Sequence, residues 1–133
     1  MNLKHLTFIW MLMTYFLPGV YAQESTTIND ITLAIQQADA SKLAENFHTT
    51  IDLLIPDSEG MYSNKQAEQI LKQYFKRNPV EKFTLSHQGK SNDGSTYLIG
   101  TYRTTSAASF MVYALIKNSG AGERLHELRF ETE

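Results

Sequence analysis

Cysteine is absent from this sequence. That excludes disulfides, a thiol nucleophile and a lipid anchor carried on an N-terminal cysteine. Proline occurs three times, at positions 18, 56 and 79, so each one marks a boundary rather than a Pro-rich tract. Charge of one sign is also lacking. Twelve Lys and Arg stand against fourteen Asp and Glu, and the basic residues are scattered. An electrostatic footprint for nucleic acid is therefore missing. The apolar run Leu6 to Leu17 falls far short of the ~20 residues that span a bilayer. No Gly/Ser-rich tract or internal repeat divides the chain.

What is present begins with a leader. Lys4 gives a short positive start, Leu6 to Leu17 an apolar core, and Pro18-Gly19 a break. Val20-Tyr21-Ala22 then offers a signal-peptidase site. Residues 1–22 are expected to be removed, with no membrane anchor left after cleavage and the product exported to the periplasm or beyond the cell. Secretion without disulfides in so short a chain suits a bacterium better than an animal. Residues 23–133 form one domain's worth of chain, with 11 basic and 14 acidic residues, a net charge of −3. Such a length buries roughly 60–70% of its unfolded surface without staples.

The pattern over Met61 to Pro79 predicts a helix. Ala67, Ile70, Leu71, Tyr74 and Phe75 recur at helical spacing, with Lys65, Glu68, Gln69, Lys72, Gln73 and Lys76 opposite. Ser63 and Gln66 make a capping box, and Glu68 pairs with Lys72 one turn on. Lys76 and Arg77 suit the negative end, and Pro79 stops it. Upstream, Ile28, Ile31, Ile35 and Ala38 mark a first helix capped by Thr27, and Leu43, Ala44 and Phe47 a second capped by Asp39 or Ser41. Thr49 to Ile55 reads as a strand, and Asp57 to Gly60 as a turn. After Pro79 four strands follow, over 81–89, 96–104, 110–117 and 124–131, joined by short turns.

The order is thus ααβαββββ, an α+β fold with helices packed on one face of a curved antiparallel sheet. That order and shape resemble the nuclear transport factor 2-like fold, or cystatin-like α+β roll, a cone with an open mouth. A closer resemblance rests on particular residues. Tyr62-Ser63, Gln66-Ala67-Glu68, Ile70-Leu71 and Phe75 form one block. Phe83, His87-Gln88-Gly89, Tyr97, Ile99-Gly100 and Thr104 form another. Val112, Lys117 and Glu127-Leu128-Arg129-Phe130-Glu131 complete it. Together they resemble a family of small secreted bacterial proteins known as a domain of unknown function, with the same roll. The resemblance implies fold and secretion and carries no catalytic residues. One departure is the turn at 105–109, Thr-Ser-Ala-Ala-Ser, where the family pattern implies a glycine.

Three kinds of site are candidates. Relatives of the fold place an Asp or His base and Tyr donors in an apolar cavity, so Asp52, Tyr97, Tyr102, Arg103 and His126 are the candidate pocket residues, with His87 and Tyr113 beside them. Against this, tyrosines on strands also pack with their hydroxyls at the surface, and fold alone does not give function. A metal is not expected. His48, His87 and His126 stand apart, and His126 and Glu127, adjacent on a strand, point to opposite faces. His126 alternates with Leu128 and Phe130, the pattern of a hydrogen-bonded core histidine. Gly120-Ala121-Gly122 lacks the third glycine and the helix of a dinucleotide fingerprint, so no cofactor is expected.

The third is an interface. Phe110 to Ile116 is apolar on both parities, whereas a half-solvated strand alternates. A second copy is expected to cover its outer side, with Met111, Tyr113 and Leu115 as the contact residues, or Phe110, Val112 and Ile116 if the parity is reversed. The reading is a secreted, non-catalytic binding or interaction module, with a homodimer expected. The alternative is a small-molecule isomerase, dehydratase or hydrolase using the cone.

Overall fold

Ser25 opens the described part of the chain, residues 25–133 of a computed structural model. The leader assigned to residues 1–22, and the new N-terminus at Gln23, lie outside the described residues. Ser25 caps α1 (Thr26–Gln36) by accepting from the Ile28 amide, and its hydroxyl donates to the Glu123 carboxylate. The cap is thus Ser25 and not Thr27. Ile28, Ile31, Ala34 and Ile35 form the buried stripe of α1. Ala38 reverses the chain at φ 49°, its amide bonding the Ile35 carbonyl while the Asp39 amide bonds that of Ala34. The Asp39 side chain then caps α2 (Ala40–Ala44) at the Lys42 amide, 3.0 Å away.

β1 (Phe47–Ile55) follows and turns at Pro56-Asp57 into β2 (Ser58–Ser63). The two pair antiparallel from Ile55↔Ser58 to Thr50↔Ser63. The stretch read from sequence as a turn is thus mostly a strand, and the order is ααββαββββ. Six residues with Gly60 at their centre have little strand character alone; the ladder along β1 supplies it.

α3 (Asn64–Arg77) matches its sequence pattern closely. The capping box between Ser63 and Gln66 is formed, and Ala67, Leu71, Tyr74 and Phe75 are buried. The expected Glu68–Lys72 pair is not formed among the described residues. Arg77 instead reaches Asp57 at 3.3 Å, on a surface where such a pair contributes little.

The remaining strands are β3 (Val80–Lys90), β4 (Thr96–Thr104), β5 (Ser109–Asn118) and β6 (Glu123–Thr132). They run antiparallel, and β1 joins β6 in parallel, giving the six-stranded order β2-β1-β6-β5-β4-β3. The helices lie on the inner face, against Ile51, Leu53, Leu98, Tyr102, Val112, Leu128 and Phe130.

The 105–109 turn carries a local conflict. Ala107 sits at φ 64°, in the left-handed region, at the turn where a glycine was expected. A Cβ there costs roughly 1–2 kcal/mol, against about 0.4–1 kcal/mol gained by restricting the unfolded chain. Ala107→Gly is therefore expected to raise stability by up to about 1 kcal/mol in a denaturant titration. A clear loss would contradict this account of the turn.

Candidate interaction face

The interior of the cone is filled by rings. Phe130, 1% exposed, takes edge contacts from Tyr74 at 5.1 Å, Tyr102 at 5.5 Å and Phe75 at 5.8 Å between centroids. Phe110 closes the same cluster against Tyr74. These side chains come from α3, β4, β5 and β6, so both layers contribute to one packed centre. Burial raises the Tyr74 phenol well above its ordinary pKa, and pushes Tyr102 up to about 12. Neither ionises near neutrality. Tyr102 donates to the Asn78 carbonyl at 2.7 Å, while the Tyr74 hydroxyl is buried without a partner among the described residues.

The five candidate pocket residues do not meet. Tyr102 points inward, into the aromatic cluster. Tyr97 and Arg103, an odd number of places away on the same strand, take the opposite face. That opposition was legible in the spacing alone. Asp52 lies between the buried Ile51 and Leu53, so it also faces outward. His126 lies at a bulge. Ile116 pairs with Leu125 and Leu115 with Glu127, which leaves His126 as the extra residue of β6. Leu125 and Leu128 are both buried, and His126 and Glu127 sit half-buried between them. Strict alternation of His126 against Glu127 is thus broken, and His126 is not a hydrogen-bonded core histidine. Its ring stacks on His48 of β1 at 4.2 Å and 15°, and its Nε2 is buried without a partner among the described residues.

Burial holds the His126 pKa below its ordinary value, and the nearby His48 of β1 and Lys117 of β5 lower it further. Above about pH 6.5 the ring is neutral in both folded and unfolded chains. Below that, the unfolded chain binds a proton that the folded one resists until pH falls through the depressed value. Stability from this site is full above about 6.5 and is lost through the window beneath. His126→Gln should flatten that part of a stability–pH curve measured by denaturant titration. An unchanged acid slope would contradict this reading.

The outer face of the sheet holds what the interior does not. The register aligns Leu54, Arg129, Tyr113, Ile99 and His87 in one row across β1, β6, β5, β4 and β3. A neighbouring row carries Met61, Asp52, Glu127, Leu115 and Tyr97, ending at Gly89. A third carries Glu131, Met111 and Thr101. The Tyr97 ring lies directly over Gly89, where any Cβ would come within 2.4 Å of its hydroxyl oxygen. Gly89 is thereby held open for the ring.

Met111, Tyr113 and Leu115 are on this outer face, and Phe110, Val112 and Ile116 are buried in the core. The parity that sequence left open is therefore the first of the two. Met111, Tyr113, Glu127, Arg129 and Glu131 line a shallow depression of about 320 Å³. Arg129 bonds Glu127 within it, and that contact, with Asp52 and Glu131 nearby, raises the guanidinium pKa still further. Leu54, Ile99, Glu127 and Arg129 were not among the sequence candidates, because only the register places them beside Tyr113. No group of three metal-ligating side chains converges among the described residues.

Known proteins share this architecture. A family model described as a domain of unknown function, DUF4783, matches residues 28–131. The crystal structure of a DUF4783 family protein from Bacteroides ovatus is similar at 23% identity and a TM-score of 0.72, covering 78% of this chain and 93% of that one. A protein of unknown function with a cystatin-like fold from Nostoc punctiforme is 12% identical, TM-score 0.62, over 80% of this chain and 73% of its own. A design named for NTF2 is 15% identical, TM-score 0.62, over 77% and 91%. At these identities the likeness is one of fold. Comparison with curated proteins finds no match.

Proposed function

The chain belongs to the DUF4783 family, a domain of unknown function, and from that premise we propose an exported, non-catalytic interaction module that works through the outer face of its sheet. The observation that carries this reading is the placement of large apolar side chains. The cone is filled by Phe130 and the rings around it, while Leu54, Ile99, Met111, Tyr113 and Leu115 share the face without helices. An apolar stripe of that length, edged by charge, is the usual anatomy of a protein contact surface. A pocket enzyme would instead need Asp52, Tyr102 and His126 to converge, and Tyr102 points into the filled interior while Asp52 faces outward.

Native mass spectrometry of the protein recovered from exporting cells tests this. The expected result is an N-terminus at Gln23 and a protein assembly free of small molecules. A monomer carrying one stoichiometric organic ligand would overturn the reading in favour of a carrier or enzyme.

A further inference from the structure

We propose that the seam between β1 and β6 is a proton-operated hinge, which opens at its α1–α2 end when His126 becomes charged. The inference stands apart from the outer-face contact and is carried by a break in the sheet. Phe47 pairs with Leu125 and Asp52 with Glu127. Between those pairs β6 passes only through His126, while β1 passes through His48, Thr49, Thr50 and Ile51. A regular ladder cannot continue across unequal lengths. What bridges the break is the stack of the His126 ring on His48. Past the stack lies a small clasp. The Leu125 amide donates to the Asn46 carbonyl at 2.7 Å, and the Ser25 hydroxyl donates to the Glu123 carboxylate. These contacts tie the start of β6 to the exit of α2 and the start of α1. Two imidazoles therefore separate the clasp from the regular seam.

A charge on His126 has no compensation while the seam is closed. Its Nε2 is buried without a partner among the described residues, so a proton there becomes a buried cation with no acceptor. From β1 it is faced by His48, and from β5 by Lys117, which stands opposite Arg124 of β6 in register. All of these groups are basic. The acids at hand are engaged elsewhere. Glu127 bonds Arg129, Glu123 bonds Ser25, and Asp93, close to Lys117, accepts from the Ser95 amide. Asp52 lies where the ladder resumes, opposite Glu127. On the α2 side, Lys42 and Glu45 flank Asn46 and offset one another. Opening the seam lets water solvate the ring, so proton uptake and opening favour each other. The open ring titrates near its ordinary value of about 6.5. Burial, His48 and Lys117 hold the closed ring below that value. The hinge is thus closed above about 6.5, and its opening constant rises by up to about tenfold per pH unit beneath, until the depressed value is passed.

Amide hydrogen exchange read by NMR, corrected for the intrinsic effect of pH, tests the hinge. Leu125 is the reporter, and the buried Leu71 of α3 is the reference for global unfolding. Leu125 should exchange faster than Leu71 and without sensitivity to low urea, as a local opening does. Its protection should fall roughly threefold to tenfold between about pH 7.5 and about pH 5.5. His126→Gln should abolish that fall. Lys117→Gln should reduce it, because removing the neighbouring charge brings the closed ring nearer its ordinary pKa. Should His126→Gln fail to fold, Lys117→Gln decides, since Lys117 lies outside the core. Leu125 exchanging together with Leu71 at every urea concentration would overturn the proposal, because only global unfolding would then part the seam. No fall in the natural chain, a fall that persists in His126→Gln, or one untouched by Lys117→Gln would overturn it as well.

Discussion

Replacing Phe130 by alanine is expected to cost about 3–5 kcal/mol, a large share of the roughly 5–15 kcal/mol available to a domain of this size. Phe130 is in edge contact with Tyr74, Phe75 and Tyr102 together. Its removal deletes the buried area of a whole aromatic side chain and leaves a void between α3 and the sheet. The surrounding rings cannot collapse into that space easily. Phe75 is stacked on Tyr102 at 5.8 Å, and Tyr102 is tied to the Asn78 carbonyl by its hydroxyl. Urea titration of Phe130→Ala should show the midpoint falling with little change in slope. A loss below about 1 kcal/mol would mean that the cone is not close-packed, and the case against an interior pocket would weaken with it.

The second large effect separates the two faces of α3. Leu71 is fully buried, whereas Lys72, one residue on, is exposed. Leu71→Ala should cost on the order of 2–5 kcal/mol, and Lys72→Ala should stay within about 0.5 kcal/mol. Lys72 forms no ion pair with Glu68 among the described residues, so no such loss attaches to the lysine. Equal losses in the two variants would place the buried face of the helix elsewhere.

Much of this architecture was legible locally. The Ser63–Gln66 box, the apolar stripe to Phe75 and the stop at Pro79 lie within one continuous segment, where spacing determines which side chains share a face. Strands β4 and β5 were equally plain in their residues. What escaped depended on partners far along the chain. β2 is a strand because β1 presents a ladder to it, and nothing in Ser58 to Ser63 announces that. The parallel seam of β1 with β6 joins strands nearly eighty residues apart along the chain. The bulge at His126 breaks an alternation that reads as regular in the letters.

The site divides in the same way. Met111, Tyr113 and Leu115 were nameable because one strand was apolar on both parities. Arg129, Ile99 and Leu54 joined them only through the register. Among the pocket candidates, Tyr102 and Arg103 are adjacent on β4, and simple alternation already sets them on opposite sides of the sheet.

Sedimentation equilibrium of residues 23–133, compared with the same chain carrying Tyr113→Asp, tests the central claim most directly. Tyr113 lies half-buried at the middle of the outer face, in the row between Arg129 and Ile99. An aspartate there would place two unpaired carboxylates at the two-fold contact, each costly to desolvate. The account predicts a dimer for the natural sequence at micromolar concentration and a folded monomer for the variant. A natural sequence that sediments as a monomer, or a variant that remains as dimeric as the natural chain, would contradict it.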